Sequence, residues 1–121
     1  MIVIAERINA TRKTVREAIN SRDAAHIRKE VEAQAAAGAT FIDLNAGTGA
    51  GGTDREAVDM QWLIDLALEA TDKPLAIDSA DPEVITRAAA HIANRRPWML
   101  NSVKGDSAGL ERLLGLAAEH G

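Results

Sequence analysis

The chain has 121 residues and a net charge of −4; 46% of it is hydrophobic, but two Trp and one Phe are its only aromatic side chains and it has no cysteine. That is enough for one domain, expected to span residues 1–121 around an aliphatic, Ala-rich core, and too little for two of ordinary size. The composition excludes a disulfide, a thiolate zinc site or an iron–sulfur cluster held by this chain, and the scattered Lys and Arg exclude the basic patch that nucleic acid or an anionic membrane would need.

The opening apolar run, Met1 to Ala5, stops at Glu6-Arg7, far short of a signal core or a span of roughly 20 residues, so a cytoplasmic location is expected. Ile2-Val3-Ile4 is β-branched and predicts a first strand, with Glu6-Arg7-Ile8-Asn9 at its exit. A short helical segment, Thr14 to Ile19, falls in the loop behind it. From His26 to Ala37 a helix is expected with Ile27, Val31 and Ala35 on one face, closed by Gly38 in the left-handed position that commonly ends helices. Thr40 to Asn45 predicts the second strand, and the glycine-rich stretch Gly47 to Gly52 follows it. Thr53-Asp54-Arg55-Glu56 has capping-box spacing and opens a helix with Val58, Trp62, Leu63, Leu66 and Ala67 as its stripe. Leu75 to Asp78 predicts the third strand. Asp81-Pro82-Glu83, an N-cap with proline behind it, starts a helix that buries Val84, Ile85, Ala88, Ala89 and Ile92. Met99 to Val103 predicts a fourth strand, and Asp106 or Ser107 starts a last helix with Leu110, Leu113, Leu114 and Ala117 inward.

Regular alternation of strand and helix predicts an all-parallel α/β sheet with right-handed crossovers, whose working edge is the carboxyl end of the strands. That edge reads Glu6-Arg7-x-Asn9, Asp43-x-Asn45, Asp78-Ser79 and Asn101-Ser102. Any one of these could be a helix cap or a turn; four strands in succession ending in carboxylate or amide predict a shared site. A (β/α)8 barrel needs about 250 residues, roughly 31 per unit. Four units in 121 residues keep that pace, so the expected architecture is a parallel (βα)4 half of a TIM barrel. Its open edges would be completed by dimerisation or by a second, C-terminal half.

The motifs Glu6-Arg7-Ile8-Asn9, Ile42-Asp43-Leu44-Asn45, Ile77-Asp78-Ser79 and Leu100-Asn101-Ser102, in this order and spacing, resemble the N-terminal half of the pterin-binding methyltransferases. These are the methyltetrahydrofolate:corrinoid protein methyltransferases, kin to the folate domain of cobalamin-dependent methionine synthase and more distantly to dihydropteroate synthase. The resemblance runs through Trp62-Leu63 to Ala118-Glu119-His120-Gly121. It implies a barrel whose mouth holds a methylated tetrahydropterin such as methyltetrahydrofolate. The N5 methyl would pass to the cobalt of a cobalamin-type corrinoid on a partner protein, with no metal bound by this chain. It implies that Asp78 and Asn101 hydrogen-bond the pterin ring. The chemistry agrees, because a carboxylate can accept from the adjacent N–H donors of the pyrimidine edge while an amide both donates and accepts. Asp43, Asn45, Ser79 and Ser102 are expected beside them as further substrate contacts, with Glu6, Arg7 and Asn9 bracing the rim or meeting the corrinoid. The residue that activates N5 is expected from the second half of the barrel.

Two other readings stand beside this one. Gly47-Thr48-Gly49-Ala50-Gly51-Gly52 satisfies G-x-G-x-x-G after a strand and before a helix, the fingerprint of a dinucleotide site, although Asp43 and Asp54 bring negative charge to where a pyrophosphate would lie. The glycines also suit a lid over the barrel mouth. The other reading is a non-catalytic half-barrel that retains only rim residues. His26, His91 and His120 are assigned no chemistry; Met60, Met99 and Trp98 are expected to pack. Arg95-Arg96 is expected to be a solvated helix end, or else a partner for a pterin's polyglutamate tail.

Overall fold

The computed structural model describes residues 4–49 and 51–100. In chain order it runs β1 (Ile4–Asn9), α1 (Lys13–Ser21), α2 (Ala24–Ala36), β2 (Phe41–Asn45), α3 (Gly52–Ala70), β3 (Leu75–Ile77), α4 (Pro82–Ile92) and β4 (Trp98–Leu100). The strands form one sheet in the order β1-β2-β3-β4, all neighbours parallel. Strand order that follows chain order, joined by right-handed crossovers, puts the crossover helices on one face of the sheet. This is the winding of a barrel, and the described residues form half of a TIM barrel. A doubly wound dinucleotide fold would instead return after its third strand, placing β4 beside β1 and that crossover on the opposite face, whereas here β4 lies beside β3.

Alternation along the strands separates the two faces. Ile42 and Leu44 of β2, Leu75 and Ile77 of β3, and Trp98 and Leu100 of β4 are buried in one apolar core with Val31, Leu63, Ile64, Ile85 and Ile92 from the helices. Ala76 is equally buried but lies outside that core, as expected for the opposite face of the sheet. Its ladder neighbours Asp43 and Met99 share that face with it. Burial supplies most of the helices' stability. An 11-residue helix such as α4 is marginal alone, and covering Val84, Ile85 and Ile92 contributes roughly 1.5–3 kcal/mol for each side chain.

Several local expectations are met. The α4 face is Val84, Ile85, Ala88, Ala89 and Ile92; Asp81 caps the helix through Glu83 N and Pro82 occupies its first turn. Gly38, with φ 94°, follows the C-cap of α2. Met60 and Trp98 pack in the core. Other expectations are corrected. The first strand runs on through the predicted exit to Asn9, with one extra residue accommodated between the pairs Ala5↔Ile42 and Ile8↔Leu44. Glu6 and Arg7 therefore sit within β1 at a bulge, not beyond its end. Helix α2 begins at Ala24, because Asp23 accepts from His26 N at 3.1 Å and caps it there, and its third buried position is Gln34 rather than Ala35. On α3, Val58 is exposed and Trp62 only half-buried; Ala57, Met60 and Ile64 join Leu63, Leu66 and Ala67 on the buried face. The predicted strand residues Ile2, Val3 and 101–103, and the helix from Asp106 or Ser107, lie outside the described residues.

Candidate functional site

The parallel register brings the polar strand ends into one row. Asn9 pairs with Asn45 across β1 and β2, and Leu44 with Ile77 across β2 and β3. The ladder then takes one further step, since Asp78 N donates to Leu44 O at 3.0 Å and sets Asp78 level with Asn45. At about 4.8 Å per strand, Asn9, Asn45 and Asp78 span about 10 Å along the rim, with Asp43 one step below Asn45 on the same face. Asn101 and Ser102, expected to continue the row from β4, lie outside the described residues.

The members of the row differ in how far the fold already uses them. Asn9 Oδ1 accepts from Thr11 N at 2.9 Å and from Thr11 Oγ1 at 2.7 Å, and Asn45 Oδ1 accepts from Gly47 N at 2.8 Å. Each is an Asx turn that bends the chain away from its strand, using only the carbonyl oxygen of the amide. Asp43 is fully buried within β2. Asp78 is half-buried, and its carboxylate forms no hydrogen bond or ion pair among the described residues. Among the described residues, nothing occupies its acceptors, whereas the side-chain carbonyls of Asn9 and Asn45 serve their turns.

Ser79 was expected beside Asp78 as a contact, yet it is buried and its hydroxyl is already used. Ser79 Oγ donates to Glu56 Oε2 at 2.6 Å and accepts from Asp81 N at 3.1 Å. Asp81 in turn accepts at Oδ2 from Thr53 Oγ1 at 2.6 Å and at Oδ1 from Glu83 N at 2.9 Å. The hydrogen bond from Thr53 is the main cause that holds the Asp81 carboxyl below its ordinary value, aided by the backbone N–H groups of the helix start. Thr53 and Glu56 thus do not close a capping box on their own helix. They reach across and tie the start of α3 to the loop between β3 and α4. Neither member of this tie was legible as such, because the capping-box spacing has an equally good local explanation.

The glycine-rich segment is explained by backbone geometry. Gly51 caps α3 with φ 76°, and a Cβ there would lie 2.5 Å from Arg55 Cβ, so no other residue fits. Helix α3 starts at Gly52, with Gly47, Thr48, Gly49 and Glu56 joining it around a concavity of about 110 Å³. With the sequential strand order, this removes the dinucleotide reading.

Away from the rim, Asp59 is fully buried on α3 between Arg55 Nε at 2.9 Å and Arg22 Nη2 at 2.7 Å. Arg22, the left-handed C-cap of α1, lies over the Trp62 ring at 4.8 Å, and Arg55 also donates to Asn20 Oδ1 at 2.8 Å. The i,i+4 spacing of Arg55 and Asp59 was the readable part of this cluster. Arg96 donates to Lys73 O at 2.8 Å and Leu68 O at 3.2 Å, closing the turn before β3 at the end of the sheet opposite the rim. Arg95 is exposed beyond the end of α4, where it donates to His91 O as a solvated helix end, and neither arginine is placed for an anionic tail at the mouth. His91 pairs with Asp65 at 2.8 Å on the helix layer. Among the described residues no cluster of His, Cys, Asp and Glu could hold a metal ion, and no helix is long and apolar enough to cross a membrane.

Residues 5–121 match the family described as pterin binding enzyme. The chain belongs to that family. Over 116 residues it is 40% identical to the methylcorrinoid:tetrahydrofolate methyltransferase of Eubacterium limosum, covering 96% of this chain and 41% of that relative. This chain spans less than half the length of that relative.

Proposed function

We propose that residues 1–121 form one unit that binds a tetrahydropterin, tetrahydrofolate or its N5-methyl form, at the carboxyl end of the strands. Asp78 accepts from the pyrimidine edge of the ring, with Asn101, Asp43, Asn45 and Ser102 as its further contacts by resemblance to the family. The observation that carries this reading is the Asp78 carboxylate, half-buried, level with Asn45 and without a partner among the described residues. A half-buried carboxylate gains most from a ligand that brings paired N–H donors. Asn9 and Asn45 are shaped first as turn formers, with Glu6 and Arg7 bracing the rim from the bulge in β1.

In the complete barrel, a methyl group moves in the cytoplasm between pterin N5 and the cobalt of a corrinoid held by a partner protein. The name of the E. limosum relative writes this transfer from methylcorrinoid to tetrahydrofolate. The methyltetrahydrofolate:corrinoid protein methyltransferases that the motifs resemble carry the methyl in the opposite direction, and one transition state serves both. The rim supplies orientation, which can contribute several kcal/mol once the reacting atoms are aligned. The group that assists N5 comes from the other half. Among the described residues β1 pairs only with β2, and β4 only with β3, so a second copy or a covalent second half must complete the barrel.

Calorimetric titration with tetrahydrofolate and 5-methyltetrahydrofolate tests the binding. The wild-type protein is expected to bind, with affinity at least about tenfold weaker in Asp78→Asn, the size of one charge-assisted contact. No heat from wild type at millimolar ligand would sink the proposal. Sedimentation equilibrium in parallel distinguishes the two ways of completing the barrel, since a monomer at the binding concentration rules out the second copy.

A further inference from the structure

The loop that carries Asp78 is held from outside the row. Asp78 N is fixed to β2 through Leu44 O, but its side chain is held by none of the described residues. The next residue, Ser79, is anchored at 2.6 Å to Glu56, and two residues later Asp81 is tied to Thr53, so residues 78–81 are gripped by the first turns of α3. The Glu56 bond is short and charge-assisted, hence roughly twice as strong as a neutral one. Ser79 has one O–H, and Glu56 takes it. Building on the pterin reading, we infer that Glu56 is a positioning residue for Asp78: acting through Ser79, it sets the angle at which the Asp78 carboxylate meets the ring. Ser79 is then a strut and not a ligand contact.

Glu56 also borders the concavity beside Gly47, Thr48, Gly49 and Gly52, so direct contact between its charge and the ligand is the rival explanation. The conservative variant separates the two. In Glu56→Gln the amide carbonyl still accepts from Ser79, whereas a contact that needs the charge is lost.

The test is calorimetric titration with tetrahydrofolate of wild type, Glu56→Ala, Glu56→Gln, Ser79→Ala and the double Glu56→Ala/Ser79→Ala, with urea midpoints measured on the same samples. Glu56→Ala and Ser79→Ala are each expected to weaken binding about tenfold. The double variant is expected to be no worse than either single, as for residues that act as one unit, with Glu56→Gln within about threefold of wild type. If Glu56→Ala does not fold, Ser79→Ala against Glu56→Gln makes the same comparison. Variants that lose urea stability but bind like wild type would show a structural brace and overturn the inference. So would a Gln variant as weak as the Ala variant. A silent wild type removes the pterin reading and this inference with it; a binding wild type with an unaffected Glu56→Ala removes the inference alone.

Discussion

Asp59 and Asp78 are carboxylates on opposite sides of the same sheet, and the protein treats them in opposite ways. Asp59, fully buried, is met by two guanidinium groups that are themselves partly solvated, one from the C-cap of α1 and one from its own helix. Asp78 is only half-buried, and the described residues bring it nothing. A charge removed from water must be paired by the fold, so a paired buried carboxylate is a statement about architecture. A carboxylate kept at the rim with its acceptors unspent is a statement about what is to arrive there. This contrast, more than the number of acidic residues, separates site from scaffold.

The largest expected effect comes from stripping Asp59 of its partners. Arg22→Met with Arg55→Met leaves a fully buried charge without compensation, and the loss should be about 3–5 kcal/mol by urea denaturation. Adding Asp59→Leu should restore most of it, since an ion pair replaced by apolar groups is often near neutral. A double Arg variant as stable as wild type would break the contrast at its scaffold end.

A smaller effect is expected at Asp81, which stands between the two cases as a carboxylate used by the fold at the rim's edge. Its folded pKa lies below the ordinary 3.8, chiefly through the Thr53 hydroxyl. A lowered pKa contributes stability above the unfolded value, and that contribution is lost as pH falls through the folded one. Asp81→Asn keeps the N-cap but not the titration. Its urea midpoint should therefore fall less steeply than that of wild type below about pH 4. Identical acid limbs would show that the tie between α3 and α4 does not depend on this charge.

Most of the architecture was legible because it rests on periodic burial. The α4 face and its Asp81-Pro82 start follow from spacing and cap chemistry alone. What was not legible depended on partners distant in the chain. Glu56 read as a capping-box residue because its partner Ser79 is 23 positions away, and Val58 read as core because a helix stripe can be drawn through it when its neighbours are unknown. Glu6 and Arg7 read as strand exit because one inserted residue, invisible without the β2 register, carries β1 on to Asn9. The rim was found at the level of residue types. Which of them the fold already uses is decided by hydrogen bonds, local Asx turns at Asn9 and Asn45 and the distant Glu56 carboxylate at Ser79.

The smallest expected effect on stability is at Asp78, and it is the one that sharpens the contrast most. If the carboxylate has no folding role, Asp78→Asn should shift the unfolding free energy by no more than about 0.5 kcal/mol, the range of substitutions away from packed or paired positions. It should nonetheless cost the pterin affinity. Its backbone N–H, which donates to Leu44 O, is untouched by the substitution, so the ladder that aligns the rim persists. A large loss of stability would mean that Asp78 is held by groups of the fold after all and belongs with Asp59. Unchanged stability with lost binding is the signature of a residue kept for a ligand, because only the complex then senses the change.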